Sequence, residues 1–491
     1  MSNVLAIDLG ASSGRALLGK YNGGELSVAE IHRFDDYVID HGDGHLSWDI
    51  ELIMDHIYES MARAEASHGF DSLSVDSWGV DFGLLDQEGH LIANPVHYRD
   101  KRTNGIPERA AEILSHEEIY EETGIQILAI NTLYQLLAVK WHEPDVYERA
   151  ETYLHIPDLI HYLLTGEKYA ERSMASTSQL FSPHSLEWSD NIREAFDLKP
   201  SLFAPLIDAG EKVGVLNTDR ATELGVAGKP VITCASHDTA SAIASIPSDT
   251  PATFLSSGTW SLIGKELSKP FLTDERLFSN EYGAGNITLL SNLTGLWIIQ
   301  QLREAYSQRG QDYTYREIVQ LASEAEDLHA YIDVSDERFA EPGEMIQKVQ
   351  DYLAETKQPV ATEPGDIFRV VYESLALTYR QVLEEMESRL DNDQTGEVLY
   401  IVGGGTKATI LNQLTANATQ KTVHIGLSEG TGVGNILLQL VALGEVASLE
   451  DGRQLVEPLL QEELTGSAVY EPQDSAQWEV KYQEFIAKGS R

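Results

Sequence analysis

The sequence predicts an α/β protein of two similar lobes, on three observations. A glycine-bearing strand–turn–strand occurs twice about half a chain apart, strands and helices alternate through both halves, and 491 residues exceed one ordinary core. The first unit runs from Val4 to Gly19 and turns through Gly10-Ala11-Ser12-Ser13-Gly14. The second runs from Ala252 to Gly264 and turns through Ser256-Ser257-Gly258-Thr259. Such turns let backbone N–H groups converge on an anion with no Cβ in the way. Two of them, one per lobe, would grip a polyphosphate from both sides of a cleft, which points to a nucleotide-dependent phosphotransferase. Taken singly, each is equally an ordinary hairpin with a solvated turn.

Between the two units, Asp71–Asp86 reads as a strand, a turn at Trp78-Gly79 and a second strand. Pro107–Glu122 has helical spacing, with Ala110, Ile113, Leu114 and Tyr120 on one face and Ile119 off it. Leu133–Trp141 and Pro157–Leu164 read as two more helices, the latter stopped by Thr165-Gly166. Pro230–Ala235 is a compact buried strand, and Ser236–Ala242 opens a helix of small residues. Pro247 and Pro251, set among polar residues at 245–251, interrupt the pattern and mark the lobe boundary. Domains over 1–245 and 246–450 are therefore expected, followed by an acidic tail at 451–491 to which no motif gives a role. In the second lobe Asp366–Leu390 is the clearest helix, with Ile367, Val371, Leu375, Tyr379, Val382, Leu383, Met386 and Leu390 on one face. The strand Val398–Val402 then enters Gly403-Gly404-Gly405, whereas Leu321–Pro364, acidic and broken by prolines, is expected at the surface.

Composition narrows the partners. With 42% hydrophobic and 23% charged residues the chain is globular, and its longest apolar runs, near Ile436–Leu443, fall short of a bilayer span. The N-terminus enters a strand by Val4 without the marks of a secretory signal. The lone Cys234 excludes an intrachain disulfide framework, so a cytoplasmic location is expected. Thirty-five Lys and Arg stand against 78 Asp and Glu, a formal charge of −43 that repels phosphate backbones and anionic lipid. Neither nucleic acid nor membrane is expected as a partner. The acidity fits a salty or acidic setting, or simply solubility. Any nucleotide site on such a chain must build its positive field locally, from N–H groups, helix ends and bound metal.

Several residues carry candidate chemistry. Asp8, at a strand end, would hold Mg²⁺ through water, because magnesium keeps several waters and needs few carboxylates. Gly10 and Gly14 would let the turn approach phosphate oxygens, with Ser12, Ser13 and Arg15 donating to them. Gly403–Gly405 would bare a backbone to a flat ligand or simply make a tight turn, and Gly430–Asn435 carries the same ambiguity. That segment is one glycine short of the dinucleotide fingerprint, and no G-x-x-x-x-G-K-[ST] loop exists. Asp238 at a helix start is a candidate general base or a plain N-cap, and His237 beside it a hydroxyl partner or a structural histidine. Trp78–Phe82 and His97–Arg102 mix aromatics with polar groups, as a sugar pocket does, or as a buried cluster with surface salt bridges. Fifteen histidines without zinc-ligand spacing, and one cysteine, make a structural metal unexpected.

The paired turns, the triple glycine and Ser236-His237-Asp238 together resemble the FGGY carbohydrate kinases, which share the actin-like (ribonuclease H-like) ATPase fold. The motifs that carry the match are Ala6–Arg15, Trp78–Phe82, Tyr98-Arg99-Asp100, Asn131–Leu136, Ala235–Ala242, Leu255–Leu262 and Gly295-Leu296-Trp297, within a span from Leu5 to Leu443. The resemblance implies two actin-like ATPase domains with a cleft between them. It implies that Ala11, Ser12, Ser13, Gly14 and Arg15 line the ATP phosphates, joined by Thr259 and Gln300, with Gly404 and Gly405 facing the adenosine. Gly79, His237, Asp238, Thr239 and Asn292 would hold a ketose, with Asp238 as proton acceptor. The branch it resembles most implies transfer from Mg-ATP to the 1-hydroxyl of L-rhamnulose, in L-rhamnose catabolism. Kinases acting on L-fuculose, xylulose or a related polyol are the alternative within the family, and an actin-fold ATPase switch the alternative outside it. Gly430 stands where such kinases often carry alanine, which bears on the adenosine contact alone.

Overall fold

The computed structural model describes residues 2–42, 44–248, 250–273, 277–390, 396–463 and 467–489. The chain forms two compact units: one of Met1–Asp249, Glu266–Leu289 and Gly430–Leu459, the other of Thr250–Lys265, Leu290–Glu429 and Leu460–Arg491. After the first segment the chain returns to the first unit twice, at Glu266–Leu289 and Gly430–Leu459; Asp249, in the expected linker, lies outside the described residues.

The first unit is built on a six-stranded sheet in the order Lys212–Val215, Pro230–Ile232, Ser72–Ser77, Ser2–Leu9, Gly14–Asn22, Glu25–Phe34. The last three strands are an antiparallel meander, while Ser72–Ser77 lies parallel to Ser2–Leu9. Val4 to Ile7 have no exposure, because both faces of this central strand are covered, and an unbroken apolar run is what such a strand requires. Leu5, Ile7 and Leu9 share a core with Ile53, Ile57 and Met61 of the Ile50–Ser67 helix, whose first turn is capped by Asp49 accepting from the Leu52 N–H. The Gly430–Ala442 helix packs against Leu17 of the Gly14–Asn22 strand, and its Gln439 donates to the Leu5 carbonyl at 3.2 Å.

The second unit repeats the plan. Thr253–Ser257 pairs antiparallel with the strand that starts at Trp260 and parallel with Val398–Val402, which in turn pairs parallel with Thr422–Ile425. The long helix is Pro364–Glu387, and Ile367, Val371, Leu375, Tyr379, Leu383 and Met386 of the expected face are buried. Phe368, Val370, Tyr372 and Leu377 are buried as well, so the helix runs through the core rather than over it.

Three expectations change. Pro107–Glu122 is not one helix: Ile106–Ala111 ends, and His116–Thr123 restarts under a reciprocal capping box between Ser115 and Glu118. The break rotates the face, leaving Ile113 53% exposed and Ile119 fully buried. Leu321–Pro364 is no surface run, since Ile332, Val334, Phe339, Met345, Ile346, Val349 and Leu353 all enter the core of the second unit. Its acidic residues occupy the solvent side of the Met345–Glu355 helix, and its apolar ones sit at helical spacing beneath. The tail, too, is structural: the Ser475–Gly489 helix puts Trp478, Tyr482 and Phe485 into that core.

Candidate active site

The site in the first unit follows from strand register. Asp8 ends the central strand opposite Arg15 on one side and Asp76 on the other. Between Asp8 and Arg15 the turn closes through the Gly10 N–H donating to the Ser13 carbonyl at 3.1 Å, and Tyr37 donates its hydroxyl to the Gly10 carbonyl. Ser12 is exposed, and Ala11, Ser13 and Arg15 are half-buried, so the turn presents its polar groups to solvent. A Cβ on Gly14 would meet the Phe34 ring at 2.4 Å; close packing, not ligand approach, requires that glycine.

Arg15 pairs with Asp8 at 2.8 Å. Burial nevertheless lifts the Asp8 carboxyl above the usual range, against the pull of Arg15 and helped by the charge of Asp238. Asp76 is fully buried; its Oδ2 accepts from Asn435 Nδ2 at 2.6 Å and its Oδ1 has no hydrogen-bond partner among the described residues. Burial, then Asp8, push its carboxyl well up. Among the described residues no group of three or more His, Cys, Asp or Glu is arranged to hold a metal, so the expected Asp8 contact rests on one carboxylate and water.

The third carboxylate arrives on a different element. The Pro230–Ile232 strand runs beside Ser72–Ser77, and the Ser236 carbonyl accepts from the Ser77 N–H at 2.9 Å. This delivers His237 as N-cap of the Asp238–Ala244 helix, with Asp238 in its first turn, where the helix dipole favours an anion. Asp238 Oδ1 accepts from the Thr239 N–H at 2.6 Å. Its side chain is 30% exposed, against 2% for that of Asp8, so Asp238 is the carboxylate a substrate can reach. Burial raises its carboxyl, and His237 opposes the rise. His237 is bracketed, with Nδ1 3.0 Å from Glu281 Oε2 and Nε2 3.5 Å from Asp238 Oδ1. Burial works to lower its pKa, yet Glu281 first and Asp238 second carry it up to about 9.

Two residues of this constellation carry no motif. Glu171, fully buried, accepts from the Ser173, Met174 and Ser236 N–H groups at 3.0, 3.2 and 3.0 Å and from the Ser173 hydroxyl. Ser173 Oγ then accepts from the His237 N–H at 3.1 Å. Glu281 comes on the Ser279–Tyr282 strand, fixed by the Tyr282 N–H donating to Ser176 Oγ at 2.8 Å. Separations of 66 and 44 residues from His237 hide both from any local pattern.

Of the Trp78–Phe82 and His97–Arg102 segments, Trp78, Asp81, Phe82, His97, Tyr98 and Asp100 are buried, whereas Arg99 and Lys101 are exposed. Trp48 and Trp78 lie with ring centroids 3.9 Å apart, and Asp81 accepts from the Trp48 and Trp78 indoles at 2.6 and 3.1 Å, the Tyr98 N–H at 3.0 Å and Gln135 at 2.8 Å. Arg102 is no surface ion-pair member but sits 2.6 Å from Gln135 Oε1. Gly79 and Val80 are half-buried, and a Cβ on Gly79 would meet Thr177 Oγ1 at 3.1 Å. Val80 adopts φ +69°, a strained value for a β-branched residue, held by Thr132 donating to its carbonyl at 2.7 Å.

In the second unit the Ser256–Thr259 turn is braced by the next helix: the Gly295 and Leu296 N–H groups donate to the Thr259 and Gly258 carbonyls at 3.2 and 2.9 Å, and Gln300 Nε2 lies 3.4 Å from Thr259 Oγ1. Gly403 has φ +86°, and a Cβ on Gly405 would meet Ser257 Oγ at 2.0 Å, whereas one on Gly404 would meet nothing within 4 Å. Gly404 is the glycine with an open face. Asn292 lies in the Ile287–Thr294 strand, in the part that belongs to this unit, so Asn292, Thr259, Gln300, Gly404 and Gly405 group here and Ala11–Arg15, Gly79, His237, Asp238 and Thr239 in the first. Gly430–Asn435 serves packing instead: added Cβ atoms would meet Leu17 Cδ1 at 2.3 Å from Gly432 and the Ser241 carbonyl at 1.8 Å from Gly434.

Comparison with known proteins identifies the family. Residues 3–244 match the N-terminal domain of the FGGY family of carbohydrate kinases, and residues 253–443 match its C-terminal domain. The chain is 38% identical to a rhamnulokinase of Bacteroides thetaiotaomicron, covering 98% of both chains, and 38% identical to one of Halalkalibacterium halodurans, covering 93% of this chain and 97% of that one. It is similar in fold to a ligand-bound xylulose kinase from Lactobacillus acidophilus (TM-score 0.80, 17% identity, 99% of this chain and 97% of the other). Two domain matches that together span most of the sequence, and a fold shared over its whole length, place this chain in the FGGY family of carbohydrate kinases, two-domain enzymes that phosphorylate a sugar and whose kinase chemistry implies ATP as substrate.

Proposed function

We propose that this chain transfers the γ-phosphoryl group of ATP to the 1-hydroxyl of L-rhamnulose, giving L-rhamnulose 1-phosphate and ADP, in L-rhamnose catabolism. The observation that carries the chemistry is the partly exposed Asp238 carboxylate beside two buried ones; the rhamnulokinase relatives at 34–38% identity support the substrate. Gly79, His237, Thr239 and Asn292 hold the ketose with Asp238. As the 1-oxygen bonds to the γ-phosphorus, Asp238 takes its proton and the bond to the β–γ bridging oxygen breaks, releasing ADP. Phosphoryl transfer of this kind passes through a loose transition state, so positioning and charge neutralisation outweigh covalent chemistry. Ala11–Arg15, Thr259 and Gln300 donate to the phosphates, and Gly404 with Gly405 faces the adenosine.

A magnesium ion, held through water by Asp8, would offset the triphosphate charge. The residues fit it: Asp8 is in register with Asp76, whose Oδ1 has no hydrogen-bond partner among the described residues. A buried, unpaired thiol at Cys234 supports a reducing cytosolic setting. The test is a panel of L-rhamnulose, L-fuculose and D-xylulose in an ADP-coupled assay. The reading expects kcat/KM for L-rhamnulose at least about 10-fold above the others, a margin a few side-chain contacts readily provide. Equal or reversed preference refutes the substrate assignment.

A further inference from the structure

Both ring nitrogens of His237 face carboxylate oxygens, Nδ1 toward Glu281 at 3.0 Å and Nε2 toward Asp238 at 3.5 Å. A neutral imidazole has one N–H and one lone pair, so it can serve a carboxylate on one side only; an imidazolium serves both. The ring is 7% exposed, and no third partner competes for it in the contacts described. We propose that Glu281 is a positioning residue for catalysis: its carboxylate, 3.0 Å from Nδ1, keeps the ring cationic by charge, so that Nε2–H is presented to Asp238 and to the ketose oxygen beside it. This rests on the reading of Asp238 as the base.

The support around the pair is one-sided and rigid. The short Arg172–Ser176 helix holds the backbone of both partners, His237 through Ser173 Oγ at 3.1 Å and Tyr282, next to Glu281, through Ser176 Oγ at 2.8 Å. Glu171, which caps that helix, also accepts from the Ser236 N–H. Glu281, His237 and the base thus share one support. The separations differ in the way the role requires. Glu281 stands at ion-pair distance, 3.0 Å, with no hydrogen bond completed at Nδ1 in this geometry, whereas 3.5 Å to Asp238 leaves Nε2–H available to a substrate oxygen.

The charged and titratable groups facing His237 are Glu281, Asp238, Glu171 and the buried His155; Asp8 and Asp76 face Asp238 from the sheet. Three carboxylates therefore favour the cation and one imidazole opposes it. His155 is itself held neutral, pushed down to about 3 by burial and then by His237. The imidazolium in turn opposes the rise that burial first, and Glu281 after it, impose on the Asp238 carboxyl.

The experiment follows the imidazole of His237 by ¹⁵N NMR and kcat/KM by pH in the full chain, comparing wild type, Glu281→Gln and Glu281→Asp. His237 is assigned by its loss in His237→Asn. Wild type should titrate near pH 9, and Glu281→Gln should bring the midpoint down by about two units, with the alkaline limb of kcat/KM moving with it; Glu281→Asp should restore part of the shift. A Glu281→Gln midpoint within half a unit of wild type, or a limb that stays while the midpoint moves, overturns the proposal. The NMR midpoint needs no turnover, so it decides this inference even if Asp238→Asn proves active and the base reading falls.

Discussion

Of the glycines described, Gly434 leaves the least room for a Cβ, and it makes the strongest mutational prediction. Gly434, in the Gly430–Ala442 helix, lies so close to the Asp238–Ala244 helix that a Cβ there would sit 1.8 Å from the Ser241 carbonyl oxygen, where ordinary contact begins at 3.4 Å. The obstacle is backbone and cannot rotate away, so Gly434→Ala must separate the helices by more than 1 Å. Alanine gains about 1 kcal/mol of helix propensity. Overpacking a close contact costs about 1–3 kcal/mol, occasionally more, and a gap of this size belongs at the upper end. A net loss of about 2 kcal/mol is expected, read as a lower urea midpoint at unchanged m-value. Catalysis should suffer more, because Ser241 follows Asp238 on the same helix. A misplacement of about 1 Å can lower kcat by about 10²-fold. Gly404→Ala is the control: with nothing within 4 Å, its stability should stay within about 0.5 kcal/mol of wild type while the KM for ATP rises. Full stability and full kcat in Gly434→Ala would refute the packing argument.

Other expectations follow from buried charge. Lys481 of the C-terminal helix is 2% exposed and sits 2.6 Å from Asp327 and 3.1 Å from Glu373. Lys481→Met should destabilise by about 3 kcal/mol, the low end for an orphaned buried ion, since Arg369 still pairs with Glu373 at 2.9 Å. An unchanged urea midpoint would show that the tail helix contributes nothing. His161 Nε2 accepts from the Val75 N–H at 3.1 Å and so must be neutral; burial alone pushes its pKa down to about 4. A histidine depressed on folding stabilises above its unfolded pKa and loses that contribution as pH falls from about 6.5 toward 4. Between pH 7.5 and 5 this amounts to roughly 2 kcal/mol, so His161→Gln should show an acid dependence flatter by that amount. Equal slopes for variant and wild type would contradict it.

What the sequence disclosed was local. The two glycine turns, the Pro364–Glu387 helix and the Ser236–Asp238 segment were legible because turn chemistry and helical spacing act over a few residues. Ser115 and Glu118 form a capping box, a local signal that outweighs periodicity and divides Pro107–Glu122 in two. The glycines of Gly430–Asn435 are ambiguous in sequence because a close approach of backbone to backbone leaves the same trace as one of backbone to ligand. The burial of Leu321–Pro364 and of the tail was masked by acidic residues that alternate with core residues at helical spacing. Glu171 and Glu281 were invisible because their partners lie far along the chain, and a buried carboxylate has no distinctive neighbours in sequence.

The most direct test of the account follows the fate of the phosphoryl group. Purified chain, Mg-ATP and L-rhamnulose are monitored by ³¹P NMR, alongside Asp238→Asn. The account predicts one sugar 1-phosphate ester per ADP in wild type and a rate at least about 10² lower in the variant, with ATP affinity retained. Inorganic phosphate in place of the ester, or ester formed at the wild-type rate by Asp238→Asn, would contradict it.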